Sequence, residues 1–289
     1  MNIFFVCNWG EDTNQLRKRM ELMTPNNKGI WKNIKSVNNI KEADYVVALS
    51  YVPNNIKFNP NKIIIFPREP SFTYNPSLKY KYFFTYDNMY HVVTQPQFIQ
   101  MDYDTLANLK YNGDIKTKVL SSVTSMKLHT KDAIQRVKII TNLCHKYPNI
   151  IDVYGSHWDN RLHNNYKGIL GFYHNTNNKE TTKYDGLKNY KYSLCLENCS
   201  KKNYFSEKFT DCILSWTIPI YYGCPNIDEY FPKDCYYKID IYNPNSLDRI
   251  LNIINKPITD DNIKALSKAR DLILNKYNVW DTISRIIKN

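Results

Sequence analysis

Short apolar runs that alternate with polar stretches constrain the fold of this chain most. Residues 3–7, 45–49 and 63–66 are continuous apolar runs, and each stops at a polar or proline-bearing loop. Strands of parallel sheets are buried on both faces and read in this way. After the first run, Leu16, Met20 and Met23 lie at helical spacing behind a possible cap at Thr13. The pattern predicts an α/β layered fold.

A second α/β series follows a lapse in the apolar pattern at Asn112-Gly113-Asp114. Strands are predicted at 119–123, 150–154, 192–196 and 218–222, with helices at 131–144 and 206–215 and further helical stretches beyond 247. Residues 157–188 show no clear period and predict a long loop with a short helix. Because 289 residues exceed the usual size of one core, we predict domains at 1–114 and 115–262, followed by C-terminal helices at 263–289.

The net charge of +12 raises the question of nucleic-acid binding. The lysines are spread along the chain without a run of five or six, and no nucleic-acid-binding motif is present, so we expect no nucleic-acid partner. The charge equally suits a small phosphate-bearing substrate. No apolar run approaches the roughly 18–20 residues of a membrane span, and residues 1–7 are too short for a signal peptide. We therefore expect a cytoplasmic protein (host cytoplasm if viral), soluble or peripheral to a membrane.

The seven cysteines have no repeated short spacing of the kind that zinc or redox sites use. We expect reduced, structural thiols. Cys195 and Cys199 flank the motif described next and are expected to be small core residues. No metal site is predicted.

Polar residues cluster where the predicted strand at 192–196 ends. Glu197 and Asn198 follow it directly, at the sheet edge where α/β proteins bind ligands. Ser206 can cap the next helix, whose free N–H groups favour an anion, and Lys208 adds a positive charge in the first turn. Taken singly, Glu197, Glu207 and Lys208 are compatible with solvated surface residues. Together with the turn at Gly223-Cys224-Pro225, they indicate a site for a sugar diphosphate.

These motifs resemble those of glycosyltransferase family 10, the α-1,3/4-fucosyltransferases. The resemblance covers about 40 residues and rests on Tyr-Ser-Leu-Cys-Leu-Glu-Asn at 192–198, Tyr-Phe-Ser-Glu-Lys at 204–208 and Ile-Pro-Ile at 218–220. The chain departs from the family pattern at Leu196, Cys199 and Ser206, where the family has Phe, Ser and Thr. The resemblance implies a GT-B fold, with two Rossmann-like lobes facing a central cleft, the first binding the acceptor and the second the GDP-sugar donor.

The resemblance also implies roles for the donor-site residues. Glu207 would hold the ribose, Lys208 and Tyr204 would reach the diphosphate, and Asn198 would line the fucose side, with Glu197 and Ser206 completing the site. Upstream, Val119-Leu-Ser-Ser-Val and Asp152-Val-Tyr-Gly155 are similar to family elements that flank an arginine-bearing helix. Arg136 would then be a second phosphate clamp, for which a guanidinium is well suited. Lys127, Lys131 and Lys138 are alternatives, with Arg136 a solvated helix residue.

The family's catalytic base is a carboxylate after an early strand. Pro67-Arg68-Glu69-Pro70-Ser71 resembles that setting, so Glu69 would take the proton of the acceptor hydroxyl; a salt bridge to Arg68 is the alternative. The resemblance implies inverting transfer of L-fucose from GDP-fucose to an oligosaccharide or glycoconjugate acceptor, by analogy α-1,3 to GlcNAc or Glc. Cofactors are expected to be dispensable, with Mn²⁺ or Mg²⁺ at most stimulatory. Asp102-Tyr103-Asp104 is the competing sign of a metal-dependent GT-A enzyme.

Two other functions are compatible with the sequence. A GT-B enzyme could use a different nucleotide sugar. A catalytically inactive carbohydrate-binding or nucleic-acid-binding protein is the other, although a mere binder would have no need of Glu69, Glu207 and Lys208 together.

Overall fold

The computed structural model describes residues 1–8, 10–66, 81–83, 99, 101–158, 160–171 and 181–288. The chain forms two compact units. The first unit comprises Met1–Leu109, Lys202–Tyr204 and Asp271–Asn289, and the second comprises Lys110–Lys201 and Phe205–Arg270. The predicted domain boundaries at 114/115 and 262/263 lie close to the points where the units divide, but the last residues of the chain belong to the first unit.

The first unit is built on a mainly parallel sheet. Among the described residues its strand order is β2-β3-β1-β4-β5-β6, and only β2 and β3 pair antiparallel. The predicted runs at 45–49 and 63–66 are strands over those residues, and their side chains are almost all buried, as expected for central parallel strands. The strands are β1 (Asn2–Cys7), β2 (Ile30–Trp31), β3 (Ile34–Ser36), β4 (Tyr45–Leu49), β5 (Ile63–Phe66) and β6 (Tyr82–Phe83).

Helices α1 (Thr13–Glu21), α2 (Tyr103–Asn108) and α7 (Val279–Lys288) belong to the same unit. The predicted cap of α1 at Thr13 is wrong: Asp12 is the cap, and its carboxylate accepts hydrogen bonds from the N–H groups of Asn14 and Gln15. A carboxylate at this position is also favoured by the helix dipole. Trp280 of α7 is fully buried, and its indole N–H donates to the Met20 carbonyl. The C-terminal helix is therefore part of the core of this unit.

The second unit contains the predicted second α/β series. In the part of the chain that the structure describes, its parallel sheet has the order β11-β10-β9-β7-β8. Its strands are β7 (Lys118–Val123), β8 (Ile151–Tyr154), β9 (Tyr190–Leu196), β10 (Ile218–Tyr222) and β11 (Tyr237–Lys238); its helices are α3 (Lys131–Lys146), α4 (Glu207–Leu214), α5 (Ser246–Ile254) and α6 (Asp260–Asp271), the last residue of which falls in the first unit.

The strand order places a topological switch point between β7 and β9. From β7 the chain crosses through α3 to β8 on one side, and then returns to β9 on the other side of β7. In open α/β sheets, ligands bind beyond the carboxyl ends of the two strands at such a point. We therefore expect a ligand to bind beside the residues that follow Val123 and Leu196. Among the helices that the structure describes, none is long and apolar enough to cross a membrane.

Candidate donor site

Arg136 lies at the switch point. It is a residue of α3, only 3% exposed, and its guanidinium donates to the carbonyl of Leu196 at the end of β9 (3.5 Å) and to that of Ser125 after β7 (3.3 Å). The two strand ends are thus joined by one cation. The alternative phosphate ligands Lys127, Lys131 and Lys138 are exposed. Of the four candidates, Arg136 is the one fixed at the carboxyl edge of the sheet.

The start of α4 is held by a buried carboxylate. Ser206 caps the helix as predicted, since its hydroxyl accepts a hydrogen bond from the N–H of Lys208. Glu197, the residue after β9, has no exposed surface, and it accepts hydrogen bonds from the Ser206 N–H (2.8 Å) and from the Ser206 hydroxyl (2.7 and 2.9 Å to its two oxygens). Glu197 is therefore a buried residue that holds the start of α4 in place, and it is not a surface carboxylate.

Two glycines near this edge of the sheet allow neighbouring segments of the chain to pack closely. At Gly223, after β10, a side chain would overlap the Glu197 side chain and the Tyr221 hydroxyl. At Gly155, after β8, φ is +145° and a side chain would overlap the backbone carbonyl of Thr124. Both positions need glycine because the neighbouring chain approaches too closely for a Cβ atom. The predicted turn at 223–225 is thus shaped to accommodate Glu197.

Lys208 and Glu207 form a half-buried, charged pair in the first turn of α4. The Lys208 ammonium lies 3.2 Å from a Glu207 oxygen and 3.7 Å from a Glu197 oxygen. Burial opposes its charge, but the carboxylates of Glu207 and Glu197 raise its pKa above the ordinary lysine value, while Arg136 is close enough to lower it. Like charges repel, so an anion that contacts both Arg136 and Lys208 would be stabilised.

The pKa values of the two carboxylates are shifted in opposite directions. Burial raises the pKa of Glu207, but Lys208 and Lys183 outweigh it and hold this pKa far below the usual value, so Glu207 is ionised. For Glu197, burial dominates and the pKa is raised, although Lys208 lowers it. An ionised carboxylate has two acceptor oxygens and no donor. Glu207, with a partly exposed side chain, can therefore accept hydrogen bonds from a pair of hydroxyl groups.

Sequence reasoning missed Lys183. It lies in a short turn, Lys183–Gly186, inside the stretch predicted as an irregular loop. Its ammonium is 3.7 Å from Glu207 and 3.3 Å from Asp211. The signal in the sequence was weak, because a lysine in a lysine-rich, aperiodic segment has nothing to mark it.

The remaining predicted donor-site residues are placed as follows. Asn198 comes directly after Glu197, and its carbonyl accepts a hydrogen bond from the Thr130 hydroxyl, which joins this loop to the start of α3. Tyr204 is buried two residues before the cap of α4. Cys195 and Cys199 are both buried, as predicted for small core residues. Glu69, the predicted base, lies outside the described residues.

The competing Asp-x-Asp motif has a structural role. Asp102 is the N-cap of α2, where its carboxylate accepts hydrogen bonds from the N–H and the hydroxyl of Thr105. Asp104 accepts a hydrogen bond from the N–H of Asn26 (2.6 Å). Both carboxylates are therefore used to satisfy backbone donors at the surface of the first unit.

Comparison with known proteins agrees with this geometry. The sequence family described as "Glycosyltransferase family 10 (fucosyltransferase) C-term" matches residues 114–260, about half of the chain. Alpha-(1,3)-fucosyltransferase B of Drosophila melanogaster is 33% identical over 94 residues, which is 32% of this chain and 20% of that protein. Alpha-(1,3)-fucosyltransferase FucT of Helicobacter pylori is 32% identical over 108 residues, 37% of this chain and 19% of that protein. These matches thus span about a fifth of the relatives' own length.

A solved structure extends the likeness to almost the whole chain. The crystal structure of an alpha1,3-fucosyltransferase with GDP matches with a TM-score of 0.55 at 16% identity, covering 99% of this chain and 88% of that one. At this identity the likeness shows the fold, and it confirms the predicted GT-B class of α/β fold with two Rossmann-like lobes. With the family match over the donor-site elements, it follows that the chain belongs to glycosyltransferase family 10, the fucosyltransferases.

Proposed function

We propose that this protein is an inverting fucosyltransferase that transfers L-fucose from GDP-fucose to a hydroxyl of a glycan acceptor, α-1,3 to GlcNAc or Glc. The observation that carries the proposal is the pair of cations at this edge of the second sheet: Arg136 donates to the Leu196 carbonyl, and Lys208 pairs with Glu207 and Glu197. Family membership and the GDP-bound structural relative support the choice of donor.

In this proposal the donor diphosphate lies between two cations and a helix start. Arg136 and Lys208 stabilise the charge that develops on the departing GDP, and Tyr204 contributes a hydroxyl. Cations fixed by the fold act with little reorganisation, so we propose that a bound metal is dispensable and that Mn²⁺ or Mg²⁺ is at most stimulatory. Glu207 accepts hydrogen bonds from the ribose hydroxyls. Asn198 lines the fucose side of the site.

The transfer itself is proposed to be a single displacement. Glu69 takes the proton of the acceptor hydroxyl, the acceptor oxygen bonds to the anomeric carbon, and the bond from that carbon to the diphosphate breaks to release GDP. One displacement at the anomeric carbon inverts its configuration. The base must lie within hydrogen-bond reach of the hydroxyl it activates.

A nucleotide screen by thermal unfolding tests the donor. A ligand that binds only the folded state stabilises it by RT ln(1 + [L]/Kd), about 2.7 kcal/mol at a hundredfold excess over Kd. We expect GDP and GDP-fucose to raise the melting temperature and UDP to leave it unchanged. A shift with UDP and none with GDP would assign another nucleotide sugar.

A transfer assay separates an enzyme from an inactive carbohydrate-binding protein. We expect acceptor-dependent release of GDP from GDP-fucose, with loss of this release in Glu69→Ala. Glu42→Ala removes an exposed glutamate of the same unit and serves as the matched control. Unchanged turnover in Glu69→Ala would remove Glu69 as the base, and no release by the wild type would favour the inactive binder.

A further inference from the structure

Lys183 bridges two carboxylates on one face of α4. Glu207 and Asp211 are four residues apart, so their side chains lie one above the other on the helix surface. The Lys183 ammonium contacts both, at 3.7 Å from Glu207 and 3.3 Å from Asp211. One side chain from the turn that precedes β9 therefore fixes the first two turns of the donor-site helix.

The contacts are well buried. The side chains of Lys183 and Glu207 are each 17% exposed and that of Asp211 is 5% exposed. A cavity of about 20 Å³ lies against Lys183, Asp211 and Lys208, which is room for one water molecule and little more. Little free volume is therefore left beside the three side chains.

The charges around Glu207 show what Lys183 contributes. Besides Lys183, Glu207 contacts the ammonium of Lys208, at 3.2 Å, and Lys208 also pairs with Glu197. Two carboxylates on one ammonium leave little net positive charge for a phosphate. With Lys183 present, Glu207 and Asp211 share a second cation, and Lys208 is correspondingly less engaged.

We infer that Lys183 is a positioning residue of the donor site, a role that rests on the proposed function. It holds the Glu207 carboxylate in place to accept hydrogen bonds from the ribose hydroxyls, and it keeps the charge of Lys208 available to the diphosphate. Lys183 acts through Glu207 and Lys208, without itself contacting the donor.

The test compares GDP with 2′-deoxy-GDP in calorimetric titrations of the full chain. Hydrogen bonds to a charged group correspond to roughly tenfold or more in affinity, so the wild type should prefer GDP by about tenfold. In Lys183→Met, GDP binding should weaken by roughly tenfold and the preference should fall to about twofold, because Glu207 no longer faces the ribose. Lys183→Arg should restore the preference, since a guanidinium can bridge two carboxylates.

Two further variants keep the test decisive. Lys188→Met removes another lysine of the same segment, which pairs with Asp185 rather than with Glu207, and it should leave the preference intact. Lys183→Gln retains the length and polarity of the side chain without its charge; it should behave like Lys183→Met and replaces it if that variant does not fold.

The outcomes separate the two proposals. A wild-type protein that binds no GDP overturns the proposed function, and the role of Lys183 falls with it. A wild type that binds GDP, together with a Lys183→Met or Lys183→Gln variant that keeps the full preference over 2′-deoxy-GDP, overturns the role of Lys183 alone. An equal loss for both nucleotides would indicate a merely structural lysine and would also overturn it.

Discussion

Truncation of Glu197 is the most informative test of how the candidate donor site is held together. This carboxylate has no exposed surface, and it accepts the hydrogen bonds of the Ser206 N–H and hydroxyl while it lies 3.7 Å from Lys208. Glu197→Ala leaves these buried donors without their acceptor. Glu197→Gln keeps one amide oxygen for the Ser206 N–H and removes only the charge.

The expected magnitudes differ for the two variants. Removal of one partner from a buried, hydrogen-bonded ion pair costs about 3–5 kcal/mol of unfolding free energy. For Glu197→Ala we expect the lower end, about 3 kcal/mol, because Lys208 still pairs with Glu207. In Glu197→Gln the lost charge was itself costly to bury, as the raised pKa of Glu197 indicates. We therefore expect a loss of about 1 kcal/mol, the net value of a hydrogen bond.

Urea unfolding of the full chain measures both variants, with Glu229→Ala in the same unit as the matched control. Glu229 is exposed, so its removal should change the free energy of unfolding by less than about 0.5 kcal/mol. A loss below about 1 kcal/mol in Glu197→Ala, or equal losses in the Ala and Gln variants, would refute the account of Glu197 as the buried support of α4.

The stability that Glu197 contributes should also depend on pH. Since the pKa of Glu197 is raised above the usual value of 4.5, the folded state binds more protons than the unfolded state as pH rises through this range. The stability that Glu197 contributes is therefore full below pH 4.5 and declines as pH rises through the folded-state pKa. The deficit of Glu197→Gln relative to the wild type should shrink toward neutral pH; a deficit that grows would contradict the sign.

Three further variants test separate parts of the structure. Gly223→Ala should cost about 1–3 kcal/mol in urea unfolding, because its side chain overlaps Glu197; a neutral result would contradict the close approach. Burial lowers the pKa of Lys116 to about 7, so the unfolded state binds more protons above pH 7. The stability of the wild type relative to Lys116→Met should then rise by up to about 1.4 kcal/mol per pH unit up to about pH 9, and parallel pH profiles would contradict this. Asp102→Ala should cost about 1 kcal/mol as a lost helix cap and leave the proposed fucose transfer unchanged, with or without added Mn²⁺; a selective loss of transfer would support the metal-site alternative.

The strands were the most predictable part of the fold. The runs at 45–49, 63–66 and 218–222 are strands over those residues. They were predictable because a parallel strand that is buried on both faces is apolar along its whole length. The start of α4 was predictable for a similarly local reason, since Ser206 is a common cap. The cap of α1 was not, because adjacent Asp12 and Thr13 both suit the position.

For the candidate site, the packing of the predicted residues could not be read from the sequence. A motif names Glu197, Glu207 and Lys208, but the sequence carries no distances, so it could not show that Glu197 is buried and supports the helix while Glu207 remains partly accessible. Lys183 comes from a segment without a period, and only the fold brings it to α4. Asp102 is a similar case, because an Asp-x-Asp sequence is compatible both with a helix cap and with a metal site.

The central claim is that Lys208, together with Arg136, binds the diphosphate of the donor. Calorimetric titration of GDP into the wild type, Lys208→Met and Lys138→Met tests it most directly, with melting curves to confirm that each variant is folded. Lys138 is an exposed lysine of α3 and a competing phosphate ligand. The account predicts at least about tenfold weaker GDP binding in Lys208→Met and wild-type affinity in Lys138→Met. Wild-type affinity in folded Lys208→Met would contradict it.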